Sequence, residues 1–147
     1  MQVVLHSRSI CVSVLLLALG LFATGCGRAT TPVQGTAKVK GGSEPAALSG
    51  YGVMFEAVDP GPDGQMVSSS GEIDATGKFQ LSTSGTNDGA YPGKYRVAIT
   101  PPIPFTDGPP PKLAIHAKYQ NLATSGLEAT VGSSGNEFHW ELDPPAP

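Results

Sequence analysis

The chain reads as an all-β protein, a single seven-stranded antiparallel β-sandwich behind an export signal, and three observations lead there. Gly and Pro supply 19 and 14 of its 147 residues, punctuation too dense for long helices. Apolar residues recur at every second position in short runs, the period of a strand with one buried face. Clusters of Gly, Pro, Asp, Asn and Ser, all turn formers, separate these runs. Charged residues make up only 14% and hydrophobics 39%, with a net charge of -3. Such a balance excludes both a solvated polyelectrolyte and a cationic nucleic-acid binder.

Residues 1–25 read as a lipoprotein signal peptide. Arg8, with no acidic residue around it, precedes an apolar stretch from Ile10 to Ala23. That length suits a secretory core of ~7–15 residues rather than the ~20 of a bilayer-spanning helix. The stretch ends Ala23-Thr24-Gly25-Cys26, which is similar to a bacterial lipobox: small residues enter the peptidase cleft and the Cys26 thiol receives the lipid. Simple secretion with cleavage nearby is the alternative. Cys11 lies within the leader and Cys26 at its end, so no disulfide is expected in the processed chain. Several acyl chains hold a protein to a membrane where one does so only marginally. The expected location is therefore a membrane of the cell envelope, reached by export and held by lipid.

Residues 26–32 form the lipidated cysteine and a small, polar tether, and the domain is expected over residues 33–143. Val33, Gly35, Ala37 and Val39 mark the inner face of a first strand, and Val53, Phe55 and Ala57 that of a second. The second ends at Asp59-Pro60-Gly61-Pro62-Asp63-Gly64, where proline stops pairing. A weaker strand from Met66 to Ile73 leads through Asp74-Ala75-Thr76-Gly77 into one with Phe79 and Leu81 inward, a hairpin by its spacing. Tyr95, Val97 and Ile99 alternate with Lys94, Arg96 and Ala98 in the clearest strand. Six prolines between Pro101 and Lys112 make a long crossover, followed by a helical turn within residues 113–122. Two last strands carry Leu127, Ala129 and Val131, then Phe138, Trp140 and Leu142, inward. Residues 144–147 are read as a disordered tail.

The pattern Asp74, Gly77, Phe79, Leu81 followed by Pro92-Gly93-Lys94-Tyr95-Arg96-Val97-Ala98-Ile99 resembles the carboxypeptidase regulatory-like, or transthyretin-like, domain, a relative in shape of immunoglobulin-like sandwiches. The segments from Ala117 to Val131 and from Asn136 to Leu142 are similar to small lipoproteins of planctomycete-type bacteria. The opening segment from Gly41 to Gly50 departs from that family's shorter turn. The resemblance implies a non-catalytic accessory module on the cell envelope, with no cofactor. Its expected partners are the membrane, through the lipid, and an envelope protein or polysaccharide, with no nucleic acid. An accessory domain of an envelope hydrolase, or a weak hydrolase, and a secreted carbohydrate-binding sandwich are the alternative classes. The sequence sets neither the ligand nor the oligomeric state.

Chemistry-bearing residues are few. His139 with Glu137 and Glu141 shares one strand face, but a single row rarely closes a coordination sphere. Asp59, Asp63, Asn87 and Asp88 offer hard oxygens without a calcium-loop spacing, and such residues are ordinary turn chemistry. Ser68, Ser69 and Ser70 lack a nucleophile-elbow context. No catalytic or metal-binding set is therefore assigned. Tyr95 reads as a corner tyrosine and Trp140 as a core plug. Ile103 and Phe105, apolar residues among prolines, either cap one end of the sandwich or form a contact loop. The sequence thus singles out three site residues: Cys26 for lipidation, and Ile103 and Phe105 for contact.

Overall fold

The computed structural model of the chain describes residues 29–42, 44–61, 63–103 and 112–146. Seven strands occur among them: β1 (Val33–Val39), β2 (Gly52–Ala57), β3 (Ser68–Glu72), β4 (Lys78–Gln80), β5 (Gly93–Thr100), β6 (Leu127–Val131) and β7 (Asn136–Leu142), with short 3₁₀ turns at Pro45–Leu48 and Ala117–Gln120. They form two sheets, one of three strands in the order β4-β1-β7 and one of four in the order β3-β2-β5-β6. The all-β reading holds.

The expectation of antiparallel pairing throughout does not. β1 and β7 run parallel, from Val33 beside Asn136 to Val39 beside Leu142. One side chain fastens this arrangement. Asn136 is buried, and its amide nitrogen donates to Thr31 Oγ1 at 3.1 Å, Pro32 O at 3.3 Å and Gly132 O at 3.1 Å. Its amide oxygen accepts from Gly132 N at 2.7 Å. These bonds tie the start of β7 to the residues entering β1, and start beside start means parallel. Replacing Asn136 with alanine strands several of these partners in a half-buried site, so we expect a loss of about 2 kcal/mol. Chemical denaturation checks this, and an unchanged midpoint would refute the tie.

The expected β3–β4 hairpin is likewise corrected. The reversal is present but not the two-stranded ladder: the turn closes through Gly77 N to Asp74 O at 3.0 Å and Asp74 N to Lys78 O at 2.8 Å, and Ser70 and Ser82 then exchange both backbone bonds as an isolated bridge. Otherwise β3 pairs with β2 and β4 with β1. The chain therefore turns a corner from one sheet to the other. It does so again at Gly132–Gly135, between β6 and β7.

The alternating residues close the core. Val33, Ala37, Val53, Phe55, Phe79, Leu81, Tyr95, Val97, Ile99, Ala129, Val131 and Leu142 are buried, while Leu127, Phe138 and Trp140 are partly so and pack against them. The sheets meet through rings: Phe55 of β2 lies 5.8 Å from Phe138 and 5.9 Å from Trp140 of β7. Phe79 of β4 reaches across β1 to stack on Trp140 at 5.5 Å and 3°. Only small residues on the intervening strand, Gly35 and Ala37, let the two rings meet. Tyr95 is a corner tyrosine, donating to Tyr91 O at 2.8 Å. Leu48, Ile73, Ile115 and Tyr119 complete the core from irregular segments.

Candidate functional site

Where β3 and β4 part for different sheets, the surface opens into a groove of about 480 Å³. Glu72 of β3 faces Lys78 and Gln80 of β4 across it, and Ser82 and Asn87 close one end. Its floor is backbone against backbone: a Cβ on Gly71 would stand 2.1 Å from Gln80 O. A smaller recess of about 230 Å³ adjoins it over the three-stranded sheet, sharing Lys78 and Gln80 and adding Gln34, Thr36 and Glu137.

Register sets the outer face of that sheet in rows. Gln80, Gln34 and Glu137 form one, Lys78, Thr36 and His139 the next, and Lys38 and Glu141 a third. Within these rows Thr36 Oγ1 and His139 Nδ1 share a hydrogen bond of 2.8 Å, and Lys38 Nζ meets Glu141 Oε1 at 2.7 Å. His139 Nε2 stands 3.8 Å from Glu137. The row of His139, Glu137 and Glu141 thus disperses toward neighbours instead of converging on a point. Among the described residues no group of three or more His, Cys, Asp or Glu is placed to hold a metal ion.

The remaining polar constellations shape loops. Asp88 accepts from the backbone N–H groups of Thr83, Ser84 and Gly85 at 2.7–3.1 Å, so both oxygens that suggested a cation ligand face the turn. Asp74 does the same for Thr76 and Lys78. Asp63 accepts from Gln65 N. Ser69 Oγ is buried against Thr83 Oγ1 at 2.6 Å, and Thr83 passes the bond on to Gly89 O. A second network, unmarked in the sequence, fastens the turn after the crossover to the end of β7. There Asp143 Oδ2 accepts from Lys118 Nζ at 2.6 Å and Tyr119 Oη at 3.1 Å, while His116 N donates to Asp143 O at 2.9 Å. The readable signal was slight: Asp143 continues the acidic alternation of β7, but nothing local names Lys118 as its partner.

These contacts move the titrations one way. The Thr76 hydroxyl and Lys78 N–H hold Asp74 below the usual carboxylate range, and the Thr83 N–H does so for Asp88. Hydrogen bonds from Lys118 and Tyr119 lower Asp143, the Lys38 ammonium lowers Glu141, and Asp143 in turn raises Lys118. A depressed carboxyl favours the fold fully above its unfolded pKa of about 4 and loses that contribution as pH falls through the native value. Raised Lys118 contributes below about 10.4 and loses its share as pH climbs past its native value. We expect thermal midpoints to be level between these limits and to fall outside them, with Asp143→Asn flattening the alkaline decline. A monotonic change across neutral pH would contradict the assignment.

Ile103 is 84% exposed and is not among the residues of the core cluster. Cys26 and Phe105 lie outside the described residues. No helix among the described residues is long and apolar enough to cross a membrane. Chemically, the groove and sheet face offer hydrogen-bond donors and acceptors with charges of both signs. Neither a protein-family model nor a curated protein nor a solved structure matches the chain.

Proposed function

We propose that the chain is an exported lipoprotein of the cell envelope, anchored through acylated Cys26, whose two sheets form a seven-stranded sandwich of transthyretin-like or immunoglobulin-like kind. Its domain acts as a non-catalytic binding or structural module, related in design to carboxypeptidase regulatory-like domains. The observation that carries this reading is the use made of polar groups. Asp74 and Asp88 hold turns and Asp143 holds the Ala117–Gln120 turn to the end of β7, and all three carboxyls are held below the usual range. A general acid working near neutrality needs the opposite shift. The polar capacity left over lies on an open sheet face and groove, which suits adhesion to a surface better than enclosure of a reacting molecule. Exposed Ile103, with Phe105 two positions on in the sequence, is the contact segment of this reading.

Two experiments test it. Mass spectrometry of the membrane fraction is expected to find an acylated peptide beginning at Cys26, and a soluble mature protein beginning elsewhere would overturn the anchor. Crosslinking in intact envelopes from a photoreactive residue at position 105 is expected to give a reproducible partner band. Labelling confined to the chain itself would remove the contact loop.

A further inference from the structure

We propose that the free edge of β7 is a docking site for an extended peptide strand of alternating apolar and basic residues. The inference rests on the reading of the domain as a binding module and names the class of partner.

Backbone geometry defines the site. Lys40 N donates to Leu142 O at 2.8 Å, so Leu142, and by alternation Trp140, Phe138 and Asn136, direct their N–H and C=O groups toward β1. Glu137, His139 and Glu141 direct theirs the other way, where no described strand pairs with β7. Both ends of this edge are closed. Glu137 N donates to Gly135 O, and Asp143 O, on the same side, accepts from His116 N. A window remains: the carbonyl of Glu137 and both polar groups of His139 and of Glu141.

Among the edge strands of the described residues, β7 is the longest. β4 has three residues, β3 contains Gly71 and is bridged at Ser70, and β6 has five residues between Gly126 and Gly132. β7 has seven, without glycine or proline. Long unprotected edges recruit strands. Side chains set the chemistry of the recruit. On the inner face Phe138 and Trp140 are only partly buried, so an incoming strand lays alternate apolar residues along them. On the outer face it meets Glu137, His139 and Glu141; Glu141 already holds Lys38 at 2.7 Å, while the exposed Glu137 carboxylate, 3.8 Å from His139 Nε2, favours a basic residue. A second copy fits poorly: antiparallel pairing about His139 sets Glu137 opposite Glu141, and parallel pairing in register sets each glutamate against its own counterpart. Like charges directly opposite are unfavourable.

The chain has one tryptophan, Trp140, so its fluorescence reports on this edge. The full chain is titrated with a lysine–valine alternating peptide of ~7 residues, the length of an ordinary strand, then with a blocked-order peptide of the same composition and with a glutamate–valine alternating peptide. We expect saturable change with the first alone, weakened by salt, and slowed amide exchange at His139 and Glu141. His139→Pro removes one edge N–H and none of the β1 ladder, and is expected to weaken binding at least tenfold. Glu137→Lys with Glu141→Lys, which leaves the backbone intact, is expected to transfer preference to the glutamate–valine peptide. Equal response to the blocked-order peptide, unchanged affinity in His139→Pro, or sedimentation as a dimer abolished by His139→Pro would each overturn the proposal. If no peptide binds while envelope crosslinks from position 105 persist, the β7 site falls and the binding-module reading stands.

Discussion

Replacing Gly35 with alanine is expected to lower stability by about 3 kcal/mol, the upper range for overpacking a filled interior. In a domain of this size that moves the thermal midpoint by roughly 10 °C. The added carbon would stand 2.2 Å from Phe138 O and 2.6 Å from the tip of the Phe79 ring. The first is backbone of the parallel neighbour and cannot swing aside; the second is locked in its stack on Trp140. Relief therefore requires parting β1 from β7 or breaking the stack. Gly52→Ala serves as the control, because its nearest neighbour, the Thr100 hydroxyl at 3.2 Å, belongs to a side chain able to turn. Calorimetry showing equal midpoints for both variants would mean that Phe79 does not lie over Gly35.

Phe55→Ala is expected to cost more, about 3–5 kcal/mol, as do other deletions of fully buried aromatic rings. Phe55 is 0% exposed, and its ring lies 5.7–5.9 Å from those of Tyr95, Phe138 and Trp140. It is the point at which the four-stranded sheet touches the rings of the three-stranded one. Deleting it leaves a void between sheets whose strand backbones are fixed by their own ladders and cannot collapse to fill it. Urea unfolding followed at Trp140 reads both the lost stability and the altered surroundings of the indole. A shift of the midpoint corresponding to less than about 1 kcal/mol would place Phe55 outside the core.

Period-two alternation carried the strands well, because each needs only to show which side is wet. Val53 and Phe55, Tyr95, Val97 and Ile99, and Ala129 and Val131 fall inward as their spacing requires, whereas Ala98, placed outward by the same alternation, is buried as well. Partnership is another matter. The stretch from Met66 to Leu81 has every mark of a hairpin, yet β3 and β4 are divided between sheets, since a turn signal fixes a reversal and not how far the ladder continues. The parallel β1–β7 pair is fastened by Asn136 reaching residues about a hundred positions earlier, which no local pattern encodes. Leu48, Ile115 and Tyr119 sit in irregular segments without a period, so their burial was invisible too. Of the candidate site, the polar alternation of Glu137, His139 and Glu141 was legible as an outer face. That this strand would also be an edge was not, because edge or centre is decided by the whole sheet order.

Parallel pairing of the first and last strands also determines how the domain bears force. The chain enters β1 at Val33 and leaves β7 at Leu142, at opposite ends of a ladder that spans both strands in full. Tension applied through the two flanking segments pulls β1 and β7 past one another along their length. Their hydrogen bonds, which lie across the direction of pull, are then loaded together, whereas an antiparallel pair held at neighbouring ends would peel open one bond at a time. The core beyond is shielded until that ladder gives way. A domain tethered at one end and gripped at the other would thus meet load along this seam, with Asn136 as the pin at one end and the bond from Lys40 N to Leu142 O closing the other.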